Sequence, residues 1–219
     1  MVEVYDPNEQ GEIVKKWLKE NGSAIVMGLV IAFGGLFGFK QWQAWQVNNK
    51  QQASAEFEVM TELLTAGQLD AAMSNYQNLR EDYAGSPYAS MAALRMAQAR
   101  LDASQPDLAT SLYRFVIDKG YPKAMTIVAR ERLARVLLDQ GQAQQALETL
   151  QGADEIAGFE SRYAEVRGDI HRAEGRDEEA IAAYLEALEN LEAGVGDRAA
   201  LVLKIESLGG TVPAGESLS

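Results

Sequence analysis

From Ser23 to Phe39 the chain reads SAIVMGLVIAFGGLFGF, apolar or small at every position, inside a longer uncharged run bounded by Glu20 and Lys40. As a helix, the nineteen residues from Asn21 to Phe39 rise roughly 28 Å, close to the roughly 30 Å hydrocarbon core of a bilayer. A buried core helix of this length normally shows a polar side, and here every face is apolar. The pattern predicts a single transmembrane helix over 23–40, with the short segment before it and the long one after it on opposite sides of the membrane. Residues 1–22 form the N-terminal segment. Within it, EIVKKWLKE (12–20) sets Ile13 and Trp17 on one side with lysines between, as in a short amphipathic helix lying on a membrane surface.

Beyond Phe39 the pattern changes. No Gly or Pro occurs from Lys40 to Ala66, and the residues are mostly helix formers. The membrane helix is expected to run on through a polar helical stalk over 41–52. Then a spacing recurs: a Gly or Ser, an Ala five residues later, and an aromatic or Leu four residues after that. The copies are Gly67, Ala72, Tyr76; Ser104, Ala109, Tyr113; Gly141, Ala146, Leu150; and Gly175, Ala180, Tyr184, with 37, 37 and 34 residues between the alanines. A period near 34 with helix–turn–helix content is the mark of tetratricopeptide repeats. The Gly or Ser ends the first helix and permits a tight turn. The Ala sits where the two helices of a hairpin cross, and the ring or Leu fills the groove against the next repeat. Large-then-small pairs in the first helices (Met96-Ala97, Leu133-Ala134) agree with this, while Arg167-Gly168 departs at its first residue.

The predicted fold is therefore all-α: an N-terminal transmembrane helix followed by a tetratricopeptide-like helical-hairpin solenoid over 53–208. Its hairpins are 53–85, 88–121, 125–157 and 159–193. A helix over 196–208 caps the stack, as solenoids require, and 209–219 reads as a disordered tail. Stepping the repeat through the first helices gives candidate positions for a partner or peptide groove. These are Phe57, Thr61 and Leu64; Met91, Leu94, Gln98 and Leu101; Val128, Glu131, Arg135 and Leu138; and Arg162, Glu165, Asp169 and Arg172. The first two sets are mainly apolar and the last is charged. With a register shifted by one residue the same side chains are core positions instead.

The apolar run has further features. Ala24, Gly28, Gly35 and Gly38 share one stripe of a helix with Ile31, and Gly34 and Gly38 make a GxxxG, so a partner helix is able to pack closely there. Glycine is also simply common in membrane helices. Trp42-Gln43-Ala44 is a poor signal-peptidase site, which favours an uncleaved anchor. Trp17 on one side and Trp42 and Trp45 on the other suit the two interfaces. Lys15, Lys16 and Lys19 precede the run and Lys40 and Lys50 follow it, favouring a cytoplasmic N-terminus by a narrow margin.

Composition narrows the function. The chain has 219 residues and no cysteine, so disulfides and thiolate metal sites are excluded. The net charge of −12 lies wholly in residues 51–219, which hold 15 basic against 27 acidic residues. Nucleic acid is repelled by such a domain. The one histidine, His171, has no second histidine or cysteine to share a metal, and it falls where the repeat packs a large residue. The pairs Asp154-Glu155 and Glu178-Glu179 suit helix starts, where the dipole stabilises carboxylates. No phosphate loop, HExxH or GxSxG occurs. No cofactor, no small-molecule substrate and no enzyme activity are expected, and a solenoid of this kind works as a protein-binding surface.

The opening VYDPNEQGEIVKKWLKENG, running into a Gly-rich span, a Trp-containing stalk and an acidic repeat domain, resembles the YfgM family of Gram-negative bacteria. The resemblance implies a single-pass inner-membrane protein with a cytoplasmic N-terminus and a periplasmic repeat domain. It implies partners in the Sec translocon and in PpiD, a membrane-anchored periplasmic chaperone, and hence an adaptor linking export to periplasmic chaperones. In some relatives it implies instead a negative regulator of the response regulator of an envelope-stress phosphorelay. A scaffold for another envelope complex is the third alternative.

Overall fold

The computed structural model describes residues 7–151, 158–192 and 196–212, the side chains of residues 7–10, 13 and 25 excepted. The first residues of the N-terminal segment (1–6), the Asp154-Glu155 pair, Gly194 and the last part of the tail (213–219) lie outside the described residues. All regular structure among the described residues is helical: α1 (Pro7–Thr65), α2 (Leu69–Asp82), α3 (Pro87–Asp102), α4 (Pro106–Lys119), α5 (Lys123–Asp139), α6 (Ala143–Leu150), α7 (Glu160–Ala173), α8 (Asp177–Glu189) and α9 (Arg198–Ser207). The chain divides into two units, Met1–Gln52 and Ala53–Ser219.

In the first unit the span expected over 23–40 is not an element of its own; it lies within α1. No single helix among the described residues is long and apolar enough to cross a membrane. Val14–Ala24 and Val26–Thr65, bent by 44° at the break between them, reach that threshold together. The bend follows Gly22-Ser23, and Gly/Ser pairs are a usual cause of sharp helix kinks. Apolar side chains from Val26 to Phe39 stand out from the helix, from Leu29 at 51% exposed to Phe37 at 73%.

In the second unit successive helices from α2 to α9 pack on one another, and α5 also touches α3 and α7, as in a solenoid of hairpins. The end of α1 joins α2 through Asn75, whose Nδ2 donates to Glu56 Oε2 at 2.9 Å. The turns explain the recurring spacing. Gly67, Ser104, Gly141 and Gly175 have φ of +72°, +58°, +74° and +72°. In each turn the next residue's N–H reaches the carbonyl five residues back: Gln68 to Leu63, Gln105 to Arg100, Gln142 to Leu137 and Arg176 to His171, at 2.8–2.9 Å. This is the Schellman closure, which satisfies carbonyls that the helix end leaves open. Ala72, Ala109, Ala146 and Ala180 are all 0% exposed at the crossings, and Tyr76, Tyr113, Leu150 and Tyr184 are buried beside them. The second kind of link, from one hairpin to the next, starts its helix differently. Ser86 Oγ accepts from Ala89 N–H ahead of Pro87, and Asp197 accepts from Ala200 N–H.

One apolar cluster runs from Ala53 to Ile170. A second joins Ala164 of α7 and Tyr184 of α8 to Leu201 and Ile205 of α9. The helix α9 thus covers the last hairpin with apolar side chains directed at α8.

Candidate functional site

The first helix of each hairpin supplies the candidate groove, and the structure divides its residues into two groups. Phe57 and Leu94 are in the core, at 8% and 7% exposed. Leu64, Met91, Leu101, Val128 and Leu138 are half-buried and packed against that core. The apolar half of the face is therefore filled. Phe57 shows how: the Tyr88 ring lies 5.8 Å from its ring, and the Arg95 guanidinium lies 5.1 Å from its centroid. Nη1 of Arg95 also donates to Thr61 Oγ1 at 3.3 Å. A cation held on a ring face is attracted by the ring's quadrupole and shields it from water.

The other half is a chain of ion pairs across α5, α7 and α9. Arg135 Nε donates to Glu131 Oε1 at 2.7 Å, and its Nη2 lies 3.8 Å from Glu165. Lys204 Nζ lies 2.7 Å from both Glu165 and Asp169. The Tyr184 hydroxyl donates to Asp169 Oδ1 at 2.9 Å. Burial first and Asp169 second push the Tyr184 hydroxyl pKa well up, so it stays a donor. Three carboxylates and two cations cancel most of their charge within the fold. Beside them a pocket of about 250 Å³ is lined by Glu131, Arg135, Ser161, Arg162 and Glu165, with Asp197 at its edge. Arg172 lies at the C-terminal end of α7 and is exposed.

The remaining expected positions fall elsewhere. Ala24, Gly28, Gly35 and Gly38 are exposed on α1, and a Cβ at any of the three glycines would meet nothing within 4 Å. His171 is half-buried in α7. Its Nδ1 is enclosed without a partner, and burial first, then Arg176, hold its pKa below the ordinary value. Among the described residues no group of three or more His, Cys, Asp or Glu side chains is placed to hold a metal ion. Two participants were not singled out by the sequence: Arg95, which covers Phe57, and Lys204, which completes the ion-pair chain. Arg95 follows a groove position by one residue, and Lys204 is the one cation in the middle of α9, so both carried a faint signal.

A family model for a tetratricopeptide repeat-like domain matches residues 15–210. The ancillary SecYEG translocon subunit of Aggregatibacter actinomycetemcomitans is 30% identical over 208 residues, covering 93% of this chain and 99% of that protein. Proteins of the same name from Escherichia coli K12 and Neisseria gonorrhoeae are each 28% identical, covering 84% and 91% of this chain and 88% and 97% of their own lengths. Among solved structures, the crystal structure of MamA matches with a TM-score of 0.52 at 17% identity, over 69% of this chain and 85% of MamA, a likeness of fold alone.

Proposed function

Because this chain belongs to the YfgM family of ancillary SecYEG translocon subunits and carries a tetratricopeptide repeat-like domain, we propose that it is a non-enzymatic adaptor held beside the Sec translocon by a membrane helix. The observation that carries the membrane part is the exposure of α1. Val26, Met27, Leu29, Val30, Ile31, Phe33, Leu36, Phe37 and Phe39 are each at least half exposed. Apolar surface in water costs about 25 cal/mol per Å², and a run of such side chains on every face is stable only in lipid or against other apolar helices. Trp17 before the run and Trp42 and Trp45 after it suit the two headgroup layers. The lysines at 15, 16 and 19, three against two after the run, favour an N-terminus in the cytoplasm, with residues 41–219 in the periplasm. There the repeat domain (53–208) is the module that meets periplasmic partners, a membrane-anchored chaperone of the PpiD kind among them.

The stripe Ala24, Gly28, Gly35 and Gly38 is the contact with a translocon helix, by close backbone approach. Gly28→Leu combined with Gly35→Leu tests it. The double variant should still enter the membrane, because leucine favours insertion. Co-purification of SecY with the tagged chain in mild detergent should fall several-fold. The control pair, Leu29→Ala with Leu36→Ala, changes residues off the stripe and should leave recovery unchanged. Undiminished recovery with the leucine pair would make the helix a plain tether and move recognition to the repeat domain.

A further inference from the structure

The hairpins are similar enough for their differences to carry information. Tyr76, Tyr113 and Tyr184 hold one position of the repeat. Tyr113 has the Arg132 cation acting on its hydroxyl, against the upward push of burial, and the Tyr184 hydroxyl donates to Asp169 Oδ1 at 2.9 Å. Tyr76 is 2% exposed, and its hydroxyl, buried, has no partner. Buried hydroxyls are normally bonded, so an unbonded one calls for an explanation. Tyr76 and Tyr113 are 37 residues apart, and so are Arg95 and Arg132. Repeat symmetry thus sets Arg95 at the position of Arg132, while the cation that acts on the Tyr76 hydroxyl in the free protein is Arg80. Arg95 lies instead over the Phe57 ring at 5.1 Å, bonded to Thr61 Oγ1. It is exposed there, whereas Arg132 is half-buried.

We infer that the face of Phe57 and the hydroxyl of Thr61 form a binding site for an arginine side chain of a basic peptide segment, which Arg95 fills in the free protein and leaves for the Tyr76 hydroxyl when the peptide binds. The chemistry of the occupant follows from what already sits there: a planar cation on an aromatic face with a hydroxyl acceptor at its edge. The charge agrees. Glu58 and Glu62 are exposed, each one residue along α1 from Phe57 and Thr61, and residues 51–219 hold 27 acidic against 15 basic residues. Such a surface attracts a basic segment and repels an acidic one. The displaced Arg95 gives up an exposed ring contact and satisfies a buried hydroxyl, so the exchange is not uphill by the whole of the lost contact. The inference deepens the reading of the repeat domain as a binding surface and rests on it for the statement that its ligands are peptides.

The test is fluorescence anisotropy on the full chain in detergent micelles, with a fluorescein-labelled heptapeptide of alternating Ala and Arg and a matched peptide of alternating Ala and Glu. The Arg peptide should bind saturably and the Glu peptide should not. Arg95→Ala vacates the site and should tighten the Arg peptide by about threefold or more, the size of one exposed cation–π contact. Thr61→Val keeps the side-chain bulk and should weaken it. Tyr76→Phe removes the hydroxyl that receives Arg95 and should weaken it by about threefold, while the melting temperature stays level or rises because the unbonded buried group is gone. An Arg95→Ala protein that binds no tighter than the parent, or a Tyr76→Phe protein that binds equally well, overturns the inference. Neither result touches the Gly28/Gly35 co-purification, which tests the membrane contact alone.

Discussion

A Cβ added to Gly168 would stand 2.4 Å from Cε1 of Tyr184, well inside contact distance. The residues sixteen before Tyr113 and Leu150 are Ala97 and Ala134, so the fourth hairpin brings its ring closer than the others do. Gly168→Ala should therefore lower stability by about 1–3 kcal/mol, as overpacking does, measurable in a thermal melt. At the turns the constraint is backbone conformation. Gly141→Val and Gly175→Val each place a branched side chain at positive φ and should cost about 1 kcal/mol or more. Unchanged melts for both would mean that the turns do not hold these conformations in solution. His171 adds a pH dependence. Its pKa in the fold is lowered by burial, then by Arg176, with Glu179 and Glu174 opposing and Arg167 adding to the shift. The unfolded chain then binds the proton more readily, so stability is full above the ordinary histidine value, about 6.5, and is lost as pH falls from there through the lower folded value. Since His171 is the chain's one histidine, His171→Leu should flatten the melting temperature between about pH 7 and pH 5, the window below the ordinary histidine value; a slope there that survives the substitution unchanged would refute this assignment.

At the level of elements, α9 depends on one charged side chain. Lys204 is held between Glu165 and Asp169 and lies 5.3 Å from the Tyr184 ring. Lys204→Met keeps the apolar stem and removes the cation, leaving two carboxylates facing each other across the same space. Amide exchange at Leu201 and Ile205 should speed up by roughly fivefold, equivalent to about 1 kcal/mol of local opening, while α3 and α4 stay as protected as before. Equal exchange in α9 would show that Leu201 and Ile205 hold it unaided. The hairpins were legible in the sequence because their determinants are local: a residue able to take positive φ, then a small residue, then a ring, at fixed spacing. The groove was less legible because its character depends on reach. Whether Phe57 is open or covered is decided by Tyr88 and Arg95, thirty-one and thirty-eight residues away, and whether Glu165 is a free charge is decided by α9. No periodicity encodes how far an arginine side chain extends.

For the molecule as a whole, the two units obey opposite rules. Among the described residues of Ala53–Ser219 most large apolar side chains face inward and most acids face water. In Met1–Gln52 the large apolar side chains are the exposed ones. The run that produces this inversion is plain in the sequence because composition alone carries it. The bend after Gly22-Ser23 was not, since it comes from a helix weakened locally within an otherwise continuous pattern. Protease added to spheroplasts should remove the repeat domain and leave a small membrane-protected fragment. A fully protected domain would reverse the proposed orientation.

The helix α9 ends as the first helix of each hairpin does. Gly209 has φ of +82°, and the Gly210 N–H reaches the Ile205 carbonyl at 3.0 Å. The chain thus writes the hairpin turn a fifth time, yet the residues that follow, Gly210, Thr211 and Val212, form no helix. Gly210 lies against Ile205 and Ile181, where a following helix would begin. In evolutionary terms this is an open reading of the repeat's grammar. A duplication that placed another second helix after Gly209 would find its joint already made, and a deletion of one whole period would rejoin two turns of the same geometry. Hairpins added or removed whole would therefore meet at turns of one geometry, as the turns at Gly67, Ser104, Gly141 and Gly175 already do.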